Sequence, residues 1–185
     1  MGFKVLVTAP YMQMVMDRFR HIFEEQGIEL VVPLVKERFN EQELLQWIGD
    51  IDGVICGDDQ FTEKVLKEAP KLKVLSKWGT GIDSIDQEAC KRFGVAICNT
   101  PNAFTEPVAD TVLGYVLSFA RRLPWMNQQM KAKKWAKLPS ISLHECVLGI
   151  IGVGNIGKAV TRRAMAFGMP VLGNDIVEMP EDFLF

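Results

Sequence analysis

Two hydrophobic periods alternate along the chain. Short apolar runs that suit half-buried or fully buried strands fall at Lys4 to Thr8, Glu29 to Val32, Gly53 to Cys56, Lys73 to Ser76 and Val95 to Cys98. Between them the apolar residues recur at helical spacing. Met12 to Gln26 reads as a helix stopped by Gly27, Glu41 to Ile48 as a short helix capped by Asn40, and Thr62 as the cap of a helix that runs to about Ala69 before Pro70. Asp86 to Phe93 reads as a helix with Gly94 as its C-cap. Strands separated by helices of this length predict βαβ units and a parallel, doubly wound sheet.

The pattern changes after Asn99-Thr100-Pro101. A long helix is predicted from about Thr105 to Arg122, with a wide apolar face through Val108, Val112, Leu113, Val116, Leu117 and Ala120, and with Pro124 as its stop. A basic helical stretch through Lys131, Lys133, Lys134 and Lys137 reads as a solvated face anchored by Trp135. Then come a strand at Cys146 to Ile151, a helix at Asn155 to Phe167 and a strand at Pro170 to Asn174.

Bulk properties narrow the function classes. A formal net charge of -2 and a sequence pI near 5.8 argue against nucleic acid or an anionic membrane surface as the main partner. No apolar run reaches the roughly 18 residues of a membrane span, and Met1 to Val7 lacks a signal-peptide pattern. Cys56, Cys90, Cys98 and Cys146 fit no C-x-x-C or zinc spacing and read as small, buried, reduced thiols in a cytoplasmic protein.

The strongest candidate chemistry is Gly152-Val153-Gly154-Asn155-Ile156-Gly157. It follows the strand Val147 to Ile151 and opens a helix. Gly152 permits a tight turn, Gly154 lets the backbone approach a pyrophosphate, and Gly157 allows close helix–strand packing. The free N–H groups around Asn155 and Ile156, at the positive end of the helix dipole, favour phosphate. The next strand ends at Asp175, whose carboxylate suits ribose hydroxyls and repels a 2′-phosphate, so NAD is expected over NADP.

Four segments together resemble the D-isomer-specific 2-hydroxyacid dehydrogenase family, its phosphoglycerate dehydrogenase-like group in particular. They are Leu72 to Asp86, Gly94 to Pro101, Glu106 to Leu113 leading to Arg121, and Val147 to Gly157. The resemblance implies an α/β architecture in which a flavodoxin-like, doubly wound parallel sheet domain precedes an incomplete Rossmann domain. The expected division is a substrate-binding domain over residues 1–100 and the first part of the NAD-binding domain over 101–185. It also implies that Trp78, Gly79, Thr80 and Gly81 approach a substrate carboxylate, which agrees with the tendency of consecutive N–H groups in a glycine turn to form an anion nest. Val108 and Thr111 are placed near the cofactor, and Asp110 stands where the family more often has Glu.

The implied reaction moves a hydride between NAD(H) and a 2-hydroxy or 2-keto acid. It needs a group that polarises the carbonyl and an acid that supplies a proton. The family's arginine, histidine and acidic partner come later than the segment matching Asp175. His21 and His144 match none of them, so no catalytic residue and no metal ligand is assigned. With two strands where a dinucleotide fold usually has six, and with the apolar ending Phe183-Leu184-Phe185, the sequence is expected to be truncated and inactive alone. A homodimer or higher homo-oligomer is expected through the long helix. The alternative is a non-enzymatic truncated homologue that binds NAD or an anion, or that oligomerises.

Overall fold

The computed structural model describes residues 2–178; the apolar ending at 183–185 lies outside the described residues. The chain divides into two compact units after Pro101.

The first unit is a five-stranded, all-parallel sheet. Its strands are β1 (Lys4–Val7), β2 (Glu29–Val31), β3 (Gly53–Cys56), β4 (Val74–Lys77) and β5 (Ala96–Cys98), in the spatial order β2-β1-β3-β4-β5. That is the flavodoxin-like order of a doubly wound sheet. Alternation along the strands builds both faces. Leu6 pairs with Val54 and Val54 with Leu75, and this row is at most 1% exposed. It forms one core with Leu44, Val65, Leu66, Ala89 and Cys90, from helices α3 (Glu41–Leu45), α4 (Glu63–Lys67) and α5 (Gln87–Phe93). Val7, one residue on from Leu6, points to the opposite face and packs with Met12, Met16, Val5 and Ile55.

The predicted helix 12–26 is three pieces. It starts at Pro10, which occupies the first turn of α1 (Pro10–Met14), passes through a 3-10 turn at Met16–Arg18, and resumes as α2 (Arg20–Glu25). None of the three has a side-chain cap, so burial of Met12 and Met16 decides the local geometry. The other caps follow the sequence. Asn40 forms a capping box with Glu43, Thr62 and Asp86 accept from the third residue of their helices, and Gly94 takes φ +70°.

The second unit contains α6 (Thr105–Ala120), α7 (Leu123–Lys131), β6 (Leu148–Ile151), α8 (Asn155–Ala166) and β7 (Val171–Asn174), with β6 and β7 parallel. Pro124 does not stop the long helix. Arg122 ends it by adopting φ +58°, and Pro124 sits in the first turn of α7, where its missing N–H costs no bond. The basic stretch is not helical past Lys131: Lys133 has φ +55°, and Trp135 is 84% exposed, so it anchors nothing among the described residues. α6 packs on α8 through Ala109, Leu113, Ala159 and Val160. Arg163 reinforces this contact with bonds to Glu106 (2.6 Å) and Asp110 (2.7 Å).

All four cysteines are free, but only Cys56 and Cys90 are buried; Cys98 is exposed at the end of β5. Burial pushes the Cys56 thiol up to about 12.

One buried carboxylate ties the edge of the first sheet together. Asp59 is fully buried. Its Oδ2 accepts from the Thr8 hydroxyl (2.6 Å) and the Gly57 N–H (3.0 Å), and its Oδ1 accepts from the Phe39 N–H (2.6 Å). Burial raises its pKa above the ordinary carboxylate value, against the pull of those donors. Asp59→Ala strands all three donors and is expected to lower stability by about 2–4 kcal/mol. Urea unfolding followed by circular dichroism measures this, and an unchanged midpoint would show that Asp59 holds nothing.

Candidate functional site

In a parallel sheet every strand points to the same edge, and ligands of open α/β sheets bind outside the carboxyl ends of the strands, where the strand order reverses. In the first unit that reversal lies at β1/β3. The turns leaving β1, β3 and β4 bring Thr8, the run Gly57-Asp58-Asp59, and Trp78 to Gly81 to the same edge.

The loop after β4 is held from below and from one side. The Trp78 N–H donates to the Cys56 carbonyl at 2.8 Å. The Thr100 N–H donates to the Gly79 carbonyl (2.9 Å), the Asn99 side chain to the Thr80 carbonyl (2.7 Å), and the Thr80 hydroxyl to the Thr100 carbonyl (3.0 Å). Carbonyls of Gly79 and Thr80 are thus satisfied by the segment after β5, while the N–H groups of Gly79, Thr80 and Gly81 donate to no acceptor among the described residues. A Cβ on Gly79 would stand 3.1 Å from Lys77 Cε, so the Lys77 side chain would have to give by a few tenths of an ångström. Neither Gly79 nor Gly81 has a positive φ.

In the second unit the three glycines of the turn differ in what they require. Gly152 adopts φ +87° and donates to the Asn174 carbonyl, which joins the turn to β7. A Cβ on Gly157 would fall 2.3 Å from the Gly152 carbonyl oxygen, so only glycine lets α8 start this close to the turn. A Cβ on Gly154 would meet nothing within 4 Å, so the space over that residue is open. Gly154 is the N-cap of α8 and supplies no side chain to the first N–H groups, and the first turn carries no acid. The helix start is therefore an electropositive cluster of donors. Asn155 donates its side-chain amide to Asn102, itself at φ +64°, and Ile156 is 41% exposed.

Asp175 lies just past β7. Its Oδ2 accepts from the Val153 N–H (2.6 Å) and its Oδ1 from the Val177 N–H (3.1 Å). The Val153 bond is the main reason its pKa is lowered. Val108 is 38% exposed and Thr111 is exposed, its hydroxyl donating to the Pro107 carbonyl one turn back. His21 on α2 and His144 in the turn Leu143–Glu145 are both exposed. No group of three or more His, Cys, Asp or Glu among the described residues is arranged to hold a metal ion, and no described helix is long and apolar enough to cross a membrane.

Sequence patterns did not single out Lys77, Asp58, Asp59 or Asn102. Two acids one residue past a buried strand were a usable signal, because they mark the carboxyl end of that strand. Lys77 and Asn102 carried no local signal, since their partners lie 19 and 53 residues away.

Residues 5–176 match the family model described as D-isomer specific 2-hydroxyacid dehydrogenase, catalytic domain. A D-3-phosphoglycerate dehydrogenase of Methanocaldococcus jannaschii is 37% identical over 175 residues, which cover 93% of this chain and 32% of the relative. The glyoxylate/hydroxypyruvate reductase B of Serratia proteamaculans is 36% identical over 141 residues, 73% of this chain and 43% of the relative. The NAD+-bound 3-phosphoglycerate dehydrogenase of Entamoeba histolytica superposes with a TM-score of 0.73 at 27% identity, covering 98% of this chain and 57% of that one. This chain thus spans about a third of the length of the phosphoglycerate dehydrogenases it matches in sequence.

The Asp175 bond to Val153 gives a pH prediction. A carboxylate whose folded pKa is depressed keeps its contribution above the ordinary value and loses it as pH falls through the folded value. The Val153 amide proton shift in NMR is expected to titrate with a midpoint below 3.8, the unperturbed value for Asp175. A midpoint at or above 3.8 would mean the bond does not form in solution.

Proposed function

The chain belongs to the D-isomer specific 2-hydroxyacid dehydrogenase family, and we propose that it contributes the substrate-binding unit and the first part of the NAD-binding unit of an enzyme that moves a hydride between NAD(H) and a 2-hydroxy or 2-keto acid. The observation that carries this proposal is the glycine turn. Gly152 (a positive φ) and Gly157 (a 2.3 Å steric limit) meet demands that only glycine satisfies, and Gly154 leaves open space over the start of a helix with no side-chain cap. A strand-to-helix turn in general does not require both of these together with an open, uncapped helix start.

The residues suit the dinucleotide. Gly152 to Gly157, with the N–H groups of Asn155 and Ile156, would hold its pyrophosphate, and Asp175 would accept from the ribose hydroxyls and repel a 2′-phosphate. Val108 and Thr111 complete the cofactor residues in this assignment. When bound, the nicotinamide accepts or donates the hydride. The chain's own part is to bind and orient: the free N–H groups of Gly79, Thr80 and Gly81 hold the substrate carboxylate beside Trp78. Self-association is assigned to α6 and α7, where Tyr115 and Phe119 are each 65% exposed and Phe119 stacks edge-on with Trp125.

Polarising the keto group and supplying its proton fall to no residue placed here. The 185-residue chain is therefore expected to turn nothing over and, with two strands among the described residues where a dinucleotide fold usually has six, to bind NAD weakly. NADH oxidation by this chain with hydroxypyruvate or 2-oxoglutarate would overturn the expected inactivity, and nanomolar NAD binding in calorimetry the expected weak affinity.

A further inference from the structure

Three segments of the first unit are laid side by side at its carboxyl edge. The Gln60 N–H donates to the Phe39 carbonyl (3.2 Å), the Phe61 N–H to the Ser84 carbonyl (3.0 Å) and the Asp86 N–H to the Phe61 carbonyl (2.9 Å). Asp59 ties the first segment to the core by accepting from the Phe39 N–H. Arg38, Gln60 and Ser84, one from each segment, line an open cavity of about 370 Å³ together with Gly81, Asp58 and Asp83. Two of these side chains are uncommitted. Arg38 makes no ion pair and no hydrogen bond among the described residues, and its guanidinium presents a rigid fork of donors that matches a carboxylate or a phosphate. The Ser84 hydroxyl oxygen is buried, and it too has no hydrogen-bond partner among the described residues. A buried hydroxyl left unpaired is unfavourable, so a ligand oxygen in the cavity would supply what it lacks.

The other charges leave the cavity open to an anion. Lys77 ends β4, is 4% exposed, donates its Nζ to the Gly57 carbonyl at 2.6 Å and pairs with Asp58, whose side chain is 77% exposed. That pair counts as neutral: Lys77 offers a ligand no spare charge, and Asp58 opposes none. Arg38 and Asp83 remain, one of each sign. Asp83 stands beside Gly81, its Oδ2 3.5 Å from where a Cβ on Gly81 would lie. It is exposed, so water screens its repulsion, whereas a guanidinium holds a bound anion through direct, charge-assisted hydrogen bonds. The contact with Arg38 therefore outweighs the field of Asp83.

We propose that Arg38 sets the substrate class: it pairs with a second acidic group, carboxylate or phosphate, at the far end of a 2-hydroxy acid, and the Ser84 hydroxyl gives that group a further donor. This rests on the assignment of the N–H groups of Gly79, Thr80 and Gly81 to the first carboxylate.

The test is a set of NMR titrations of the ¹⁵N-labelled chain with D-glycerate, D-2-hydroxyglutarate and D-3-phosphoglycerate, followed at the amides of Gly79, Thr80 and Gly81 and at the Arg38 Nε–H. At least one of the two diacids is expected to bind about tenfold more tightly than D-glycerate and to shift the Arg38 Nε–H, which D-glycerate leaves in place. The diacid that gains identifies the group as carboxylate or phosphate, and a gain by both means that the fork takes either. Arg38→Gln is expected to bring the ratio down to about one, and Arg38→Lys, which keeps the charge without the fork, to about threefold. Ser84→Ala is expected to reduce it about threefold. If the loop amides respond but neither diacid is preferred, or if Arg38→Gln leaves the ratio unchanged, the role of Arg38 is overturned and the nest stands. If no ligand moves the loop amides, the nest assignment itself fails and this inference goes with it.

Discussion

Parallel pairing is the constraint on which the rest depends. A parallel strand can be followed by another only after a crossover that carries the chain back to the starting edge, so every β-to-α turn collects at the opposite edge. In the first unit this brings Thr8, Asp58, Asp59 and the Trp78–Gly81 loop to one place, although up to 73 positions separate them in the sequence. In the second it sets the glycine turn after β6 beside Asp175 after β7, in register through Ile151 and Asn174. In the first unit, burial of Leu6, Val54 and Leu75 in one row fixes the register of β1, β3 and β4, because a one-residue slip of any of these strands would turn its residue to the other face.

The two units handle a carboxylate in opposite ways. Asp59 is buried, and removal from water outweighs three donors, so its charge is disfavoured. Asp175 is only half-buried, and the Val153 N–H stabilises its charge. The difference is one of solvent access: similar hydrogen bonds hold a sheet edge in one case, and in the other leave an ionised group at the surface. Lys77 shows a third solution, a buried cation neutralised by an exposed acid.

Features with a local cause were legible in the sequence. Caps at Asn40, Thr62, Asp86 and Gly94 follow from side chains or φ preferences at single positions, and the strands follow from a two-residue period. The first helix was not legible as three pieces because its breaks follow from how Met12 and Met16 meet the sheet, which periodicity does not encode. Pro124 was misplaced because proline is disfavoured inside a helix but favoured in its first turn, and Arg122, an unexpected residue for positive φ, supplied the real stop. The glycine turn was legible because steric demands act on adjacent residues. The pairs Lys77–Asp58 and Asn155–Asn102 were not, since each joins residues that share no element and no spacing rule.

Asp175 bonds the Val153 N–H inside the glycine turn, so one carboxylate is both a support for the loop and the group that would face the ribose. These two duties constrain how a lineage could change its dinucleotide. Exchanging Asp175 for a neutral residue to admit a 2′-phosphate would also release the middle of the loop to which the pyrophosphate is assigned. A viable route must first provide another acceptor for Val153, or keep an oxygen at position 175 and recruit the cation elsewhere. Cofactor preference and loop geometry are therefore expected to drift together in descendants of this sequence.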